Sequence, residues 1–168
     1  MIRAAYDASI LKTINDMYRT NFINTEAPYM LNHPTQEASI LVGEFTNIGA
    51  ATYTTGPSKI FNAVNALILV NQVSYALACI TNLIDAKLGT SEASRMLLTN
   101  ANITCTRMIG DASCKTFIFE SQSSEIDVSG RKQFNGRMDI SEGAFVVDVQ
   151  GIITSTNKHA LPVASGTG

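Results

Sequence analysis

The spacing of apolar side chains divides the chain into a helical front, a β-type segment, one long helix and a β-type remainder. From Ile2 to Tyr18 apolar residues recur at positions 2, 6, 10, 14 and 17–18, the period of a helix with one apolar face. This predicts a docking helix ahead of the main sheet. Asn24, Thr25 and Pro28 then read as loop. Between Ala38 and Tyr53 the period falls to two. Ile40 and Val42 alternate with Ser39 and Leu41, Phe45 follows Gly43-Glu44, and Gly49-Ala50-Ala51 interrupts the run. Two short strands, or one bulged strand, fit that pattern. Gly56-Pro57-Ser58 is turn chemistry.

The next element is a helix over about Asn62 to Ala86, roughly 36 Å long at the usual rise. Asn62 is a suitable N-cap, and Leu88-Gly89 a suitable stop. No acid or base stands between Phe61 and Leu83, and apolar residues fall on every side of the helix. Such a helix must be surrounded. Ser91 to Met96 reads as a short turn or helix. Asn102–Met108, Lys115–Glu120, the alternating Phe134, Gly136, Met138 and Ile140, and Ala144–Ile153 read as strands. Gly110-Asp111, Ser129-Gly130 and Glu142-Gly143 separate them. A sheet wrapped around one long helix buries that helix with few other elements. The expected fold is therefore α+β: a hot-dog arrangement, an antiparallel sheet around one long central helix, with an N-terminal helix. Residues 1–155 form one domain in this reading and 156–168 a polar tail.

Composition sharpens the picture. Of 168 residues, 45% are hydrophobic and only 15% charged, against about 25% charged in ordinary soluble domains. Apolar surface beyond one core goes into a subunit interface, which predicts a homodimer or a dimer-based higher oligomer. The net charge is −2 and the longest basic run is Arg131-Lys132, so nucleic acid is not an expected partner. Three cysteines, Cys79, Cys105 and Cys114, form neither a disulfide framework nor a metal motif. No metal and no cofactor is expected. Ile60 to Ile80 has the length of a membrane span but carries Asn62, Asn65, Asn71, Gln72, Ser74 and Tyr75, which are costly in lipid. With no apolar signal core after Met1, the expected location is the cytoplasm.

The candidate chemistry is built from amides and phenols. Asn62 sits where helix N–H groups lack partners and the dipole is positive, a place suited to a carbonyl gaining negative charge. Tyr53, at a strand end before the helix, and Tyr29, in the Pro28-Tyr29-Met30 stretch, are phenols able to donate to such a carbonyl. Glu37 and Glu44 are the acids near this region, and a Glu in a short strand usually faces water. His33 and His159 make no metal pair. Nucleophile-elbow, P-loop and dinucleotide-binding glycine patterns are absent from the sequence.

Gly43-Glu44-Phe45-Thr46, Ala51-Thr52-Tyr53, Phe61-Asn62-Ala63-Val64 and Asn71-Gln72-Val73-Ser74-Tyr75-Ala76 together resemble the FcoT-like hot-dog proteins, clearest over about residues 41–78. That family is described as long-chain fatty acyl-CoA thioesterases. Some relatives in isonitrile lipopeptide pathways instead add glycine to an α,β-unsaturated acyl-carrier-protein thioester and release the acid. The resemblance implies site residues at Tyr53, Asn62, Asn71 and Tyr29, with His33, Glu44, Phe61 and Lys59 against the substrate. The chain departs from the family at Met30-Leu31-Asn32-His33-Pro34 and at Asn100-Ala101-Asn102-Ile103-Thr104, where members are basic. His33 or Lys59 would have to supply the cation that a glycine carboxylate needs.

Three functions follow from these residues. The first is a fatty acyl-CoA or acyl-carrier-protein thioesterase. The second is a lyase adding an amine such as glycine to an enoyl thioester, which suits a site without a carboxylate base. The third is a non-catalytic acyl-binding protein. A β-hydroxyacyl dehydratase ranks lower because it needs a His and an acid on the central helix.

Overall fold

A computed structural model describes residues 24–30, 38–46, 60–80, 95–110, 115–125 and 131–154. The expected N-terminal helix, the segment holding Tyr53, the end of the long helix beyond residue 80 and the polar tail lie outside the described residues.

Six strands form one antiparallel sheet: β1 (Asn24–Met30), β2 (Ala38–Thr46), β4 (Arg95–Cys105), β6 (Thr116–Glu125), β7 (Lys132–Ile140) and β8 (Phe145–Thr154). Their order is β1-β2-β6-β7-β8-β4, so β4 is an edge. The single described helix, α1 (Ala63–Ile80), lies against this sheet and touches β4, β7 and β8. Two short strands, β3 (Ile60–Phe61) and β5 (Ile109–Gly110), pair with each other beside it. One helix held against one antiparallel sheet is the hot-dog arrangement that the periodicities predict.

The two-residue period explains the register. Leu41, Phe119, Met138, Val147 and Ile103 pair in one cross-strand row through five strands. All of them face α1, and all but half-buried Ile103 are fully buried. Ala66, Leu69, Val70, Val73 and Leu77 of α1 complete this core. The intervening residues Glu44, Glu120, Asn135, Arg137 and Gln150 are exposed on the other face. Glycine lets the aromatic rings lie flat on the sheet: a Cβ at Gly136 would stand 2.6 Å from a Phe119 ring atom, and one at Gly151 would stand 2.8 Å from the Leu97 carbonyl oxygen.

The structure corrects three local expectations. The Asn24–Pro28 stretch, with Tyr29 after it, is a strand paired with β2, not a loop. Its register breaks between Glu26 and Tyr29, where Pro28 has no N–H to give; a bulged edge strand tolerates that. Arg95 and Met96 open β4 instead of closing a turn or helix, because they pair with Thr154 and Ile153 along the full length of β8. Finally, the described strands do not sheathe α1 on all sides. Ala63 and Val64 are exposed, and Leu67, Ile68, Asn71 and Tyr75 are half-buried. These residues form one stripe beside β4, the free edge of the sheet.

The β7–β8 turn holds backbone strain. Ser141 and Glu142 have φ of 51° and 55° and Gly143 has 75°, the left-handed region that costs side-chain-bearing residues about 1 kcal/mol or more each. The neighbouring linker pins it. The Arg107 guanidinium donates to the Ser141 and Glu142 carbonyls, the Thr106 hydroxyl donates to the Gly143 carbonyl at 2.6 Å, and Asp139 accepts from the Gly143 N–H at 2.7 Å.

Candidate functional site

The helix start is built by two asparagines. Asn62 Oδ1 accepts from the N–H groups of Val64 (2.9 Å) and Asn65 (3.2 Å), while the Asn62 N–H donates back to Asn65 Oδ1 at 3.1 Å. The Asn62 carbonyl accepts from Ala66 N–H at 3.0 Å. This is a reciprocal capping box with Asn in both places. It commits the amide oxygen of Asn62 and the N–H groups of Val64 and Asn65 to the helix itself. Asn65 is fully buried, so the cap is also part of the core.

A groove of about 390 Å³ runs between α1 and β4. Val64, Leu67, Ile68 and Asn71 form its helix wall, and Leu98, Thr99, Asn100 and Ala101 its strand wall. Residues 64, 68, 71 and 75 are spaced three or four apart, so they share one helix face. The Asn71 side chain makes no hydrogen bond with the described residues, and it interrupts an otherwise apolar wall. Just past the Asn71–Leu98 end, the Tyr75 hydroxyl donates to the Met96 carbonyl at 3.1 Å, tying helix to strand. Next to this tie, Ser74 Oγ is buried with no hydrogen-bond partner among the described residues.

The expected site residues separate on this frame. Asn71 is in the groove, and Asn62 caps the same helix two residues before Val64. Phe61 is buried in the core, its ring 5.1 Å from that of Phe45 and 5.3 Å from that of Phe145, and is not among the groove walls. Glu44 is exposed on the sheet face opposite α1, since its neighbours Gly43 and Phe45 point inward. The backbone of Tyr29 pairs with Val42 in the sheet. Tyr53, His33 and Lys59 lie outside the described residues. Sequence reasoning overlooked Tyr75 and the Leu98–Ala101 wall. Tyr75 follows Asn71 by four residues, a spacing that already places it on the same helix face. The wall went unseen because Leu97 to Ala101 lack an alternating pattern, and a register shift between Leu98 and Asn100 is what turns them.

No family model matches the sequence, and no curated protein matches it. Among solved structures, a hypothetical thioesterase from Streptococcus pneumoniae, crystallised with coenzyme A, is similar in backbone course: 8% identity, TM-score 0.49, covering 86% of this chain and 95% of that one. The PaaI protein of the phenylacetic acid degradation operon of Escherichia coli gives 11% identity and a TM-score of 0.47, over 88% of this chain and 93% of its own. A Streptococcus mutans protein bound to acetyl CoA gives 9% identity and a TM-score of 0.43, over 80% and 88%.

Proposed function

We propose that this chain is an acyl-thioester-processing enzyme whose substrate lies in the groove between α1 and β4. The observation that carries this reading is an amide with no partner among the described residues, Asn71, on the helix wall of a groove lined by Val64, Leu67, Ile68, Leu98 and Ala101, with Thr99 and Asn100 also on its strand side. Largely apolar walls with a donor on the helix side suit an apolar chain that carries one carbonyl. In hydrolysis, water adds to the thioester carbonyl, the oxygen gains negative charge, and the carbon–sulfur bond breaks to give an acid and a thiol. The Asn71 amide N–H groups stabilise that oxygen where little water competes. Asn62 acts by fixing the helix start, and Tyr53 remains a phenol proposed to reach the same substrate; Tyr29, on the strand at the far edge of the sheet from β4, reaches such a groove only from another subunit. Either coenzyme A or an acyl carrier protein would supply the thioester.

One observation favours a second reading, addition of an amine such as glycine to an enoyl thioester. Among the described residues no acid or base lines the groove, and Glu44 faces away from it. A free amine needs little activation, whereas water needs a general base. The same amide would then stabilise an enolate oxygen.

Thiol release without glycine, set against formation of the glycine adduct of an enoyl-thioester followed by mass spectrometry, separates these readings, since conjugate addition leaves the carbon–sulfur bond intact and needs the amine. The Asn71→Ala variant should lose about 10²–10³ in kcat, the usual effect of removing one oxyanion donor. Undiminished turnover in a folded Asn71→Ala protein would remove this site from the reaction.

The working unit in this proposal is a homodimer. Its support is the half-open stripe of α1 beside an eleven-residue edge strand, β4.

A further inference from the structure

We infer that the acyl substrate is a linear chain of medium length, with about eight carbons lying in the groove beyond the carbonyl. This rests on the groove being the acyl-thioester site, and it follows from which end of the groove is closed. Beyond Asn71 the Tyr75 hydroxyl spans to the Met96 carbonyl. Tyr75 is one turn past Asn71 on α1, and Met96 stands two residues before Leu98 on β4. The tie therefore crosses the path just outside the Asn71–Leu98 end. An acyl chain whose carbonyl meets Asn71 cannot continue that way, and the sulfur-bound arm leaves through the open side of the groove, where Asn71 is only half-buried. It must run toward the helix start, where the apolar walls Ile68, Leu67 and Val64 follow in order.

That arm has a definite length. Val64 and Asn71 are seven residues apart, about 10 Å along the axis. An extended alkyl chain built of bonds of about 1.5 Å advances about 1.3 Å per carbon, so about eight carbons reach Val64. There the wall formed by the described residues stops. Val64 is 43% exposed, Ala63 is exposed, and the helix begins. Further carbons leave the groove and bury no more surface. Volume is not limiting, since a single-file chain of eight carbons fills less than the roughly 390 Å³ present. The Asn71 wall sets where the chain starts, and the helix start sets where its burial ends.

Binding of S-alkyl pantetheine thioethers, which carry the arm common to coenzyme A and carrier proteins and cannot be cleaved, tests this without turnover. Calorimetry on the full-length protein with alkyl groups of about four to sixteen carbons should show affinity rising about fourfold per methylene. The rise should stop near eight carbons and stay flat beyond. Leu67→Trp should move the break to about four carbons. Ala101→Trp, on the strand wall, should turn the flat region into a decline, with its sedimentation compared with the parent's because the same residue lies near the proposed two-fold axis. A rise that continues to sixteen carbons, or an unmoved break in Leu67→Trp together with an unchanged flat region in Ala101→Trp, would overturn the inference. A break near eight carbons in a protein that turns over no acyl-thioester keeps the chain-length inference and removes the catalytic reading. Absence of binding at every length removes the groove as an acyl site, and the inference with it.

Discussion

Ser74 is the residue whose chemistry is least satisfied. Its hydroxyl is buried in mid-helix at 4% exposure, without a hydrogen-bond partner among the described residues. An unpaired buried polar group costs about 1–3 kcal/mol, and alanine is also the better helix former. Ser74→Ala should therefore stabilise the protein by about 1 kcal/mol, seen as a rise of about 2–4 °C in Tm. No gain would mean that the hydroxyl finds a partner. Asn62 offers the opposite case. Losing its two accepted bonds in Asn62→Ala should cost about 1–2 kcal/mol. Asn62→Asp keeps an oxygen for the cap and loses only the amide N–H groups. Urea unfolding should find Asn62→Asp near the parent protein, and its kcat then reports whether the amide N–H groups reach substrate. If Asn62→Asp is as unstable as Asn62→Ala, the cap is not what Asn62 contributes. The cap itself was legible in the sequence, because Asn before an apolar run is a local signal. The loss of its oxygen to Val64 and Asn65 was not, since that depends on the closed geometry of the helix start.

At the scale of elements, hydrophobic period identified α1 and four of the strands, while edges defeated it. β8 was plain because Phe145, Val147 and Val149 alternate without interruption. β1 was hidden by Pro28, which reads as a breaker when taken alone and is tolerated where one side of a strand has no neighbour. β4 was hidden in its first half because Leu97 and Leu98 are consecutive, and only pairing with Ile152 and Gly151 assigns them to opposite faces. Gly151 shows how tightly those faces are built. A Cβ there would lie 2.5 Å from one Phe134 ring atom and 2.8 Å from the Leu97 carbonyl oxygen. The ring could turn, but the backbone carbonyl of a paired strand has nowhere to go. Gly151→Ala should destabilise by about 1–3 kcal/mol, the range for an overpacked core. A chemical denaturation midpoint equal to the parent's would show that β4 and β8 separate more easily than their register suggests.

For the whole molecule, an all-round apolar α1 required that something cover every side, and the described residues supply a sheet on one side. Periodicity cannot tell whether the remaining wall belongs to the same chain or to another, because both bury the same side chains. The edge position of β4 bears on that choice. A long unpaired edge is a template for strand addition, and in a two-fold pair an edge strand meets its own copy running antiparallel. Residues near the middle of β4 then stand close to the same residues of the second subunit. Ala101 is one position from the centre of Arg95–Cys105 and is exposed. In Ala101→Glu, two carboxylates would face each other across the axis, and directly opposed like charges destabilise strand pairing. Sedimentation should give the parent protein at least twice the 18.1 kDa of one chain and the Ala101→Glu variant a mass of one chain. Its circular dichroism should be unaltered, because the substituted side chain is exposed within a single subunit. A parent protein that sediments as one chain would leave the open stripe of α1 facing water. The groove would then have a strand wall and a helix wall but no roof, and any acyl chain within it would remain partly wet. The steep gain expected for each added methylene would shrink in proportion to the surface left uncovered, so the mass of the assembly and the slope of that series test the same wall from two sides.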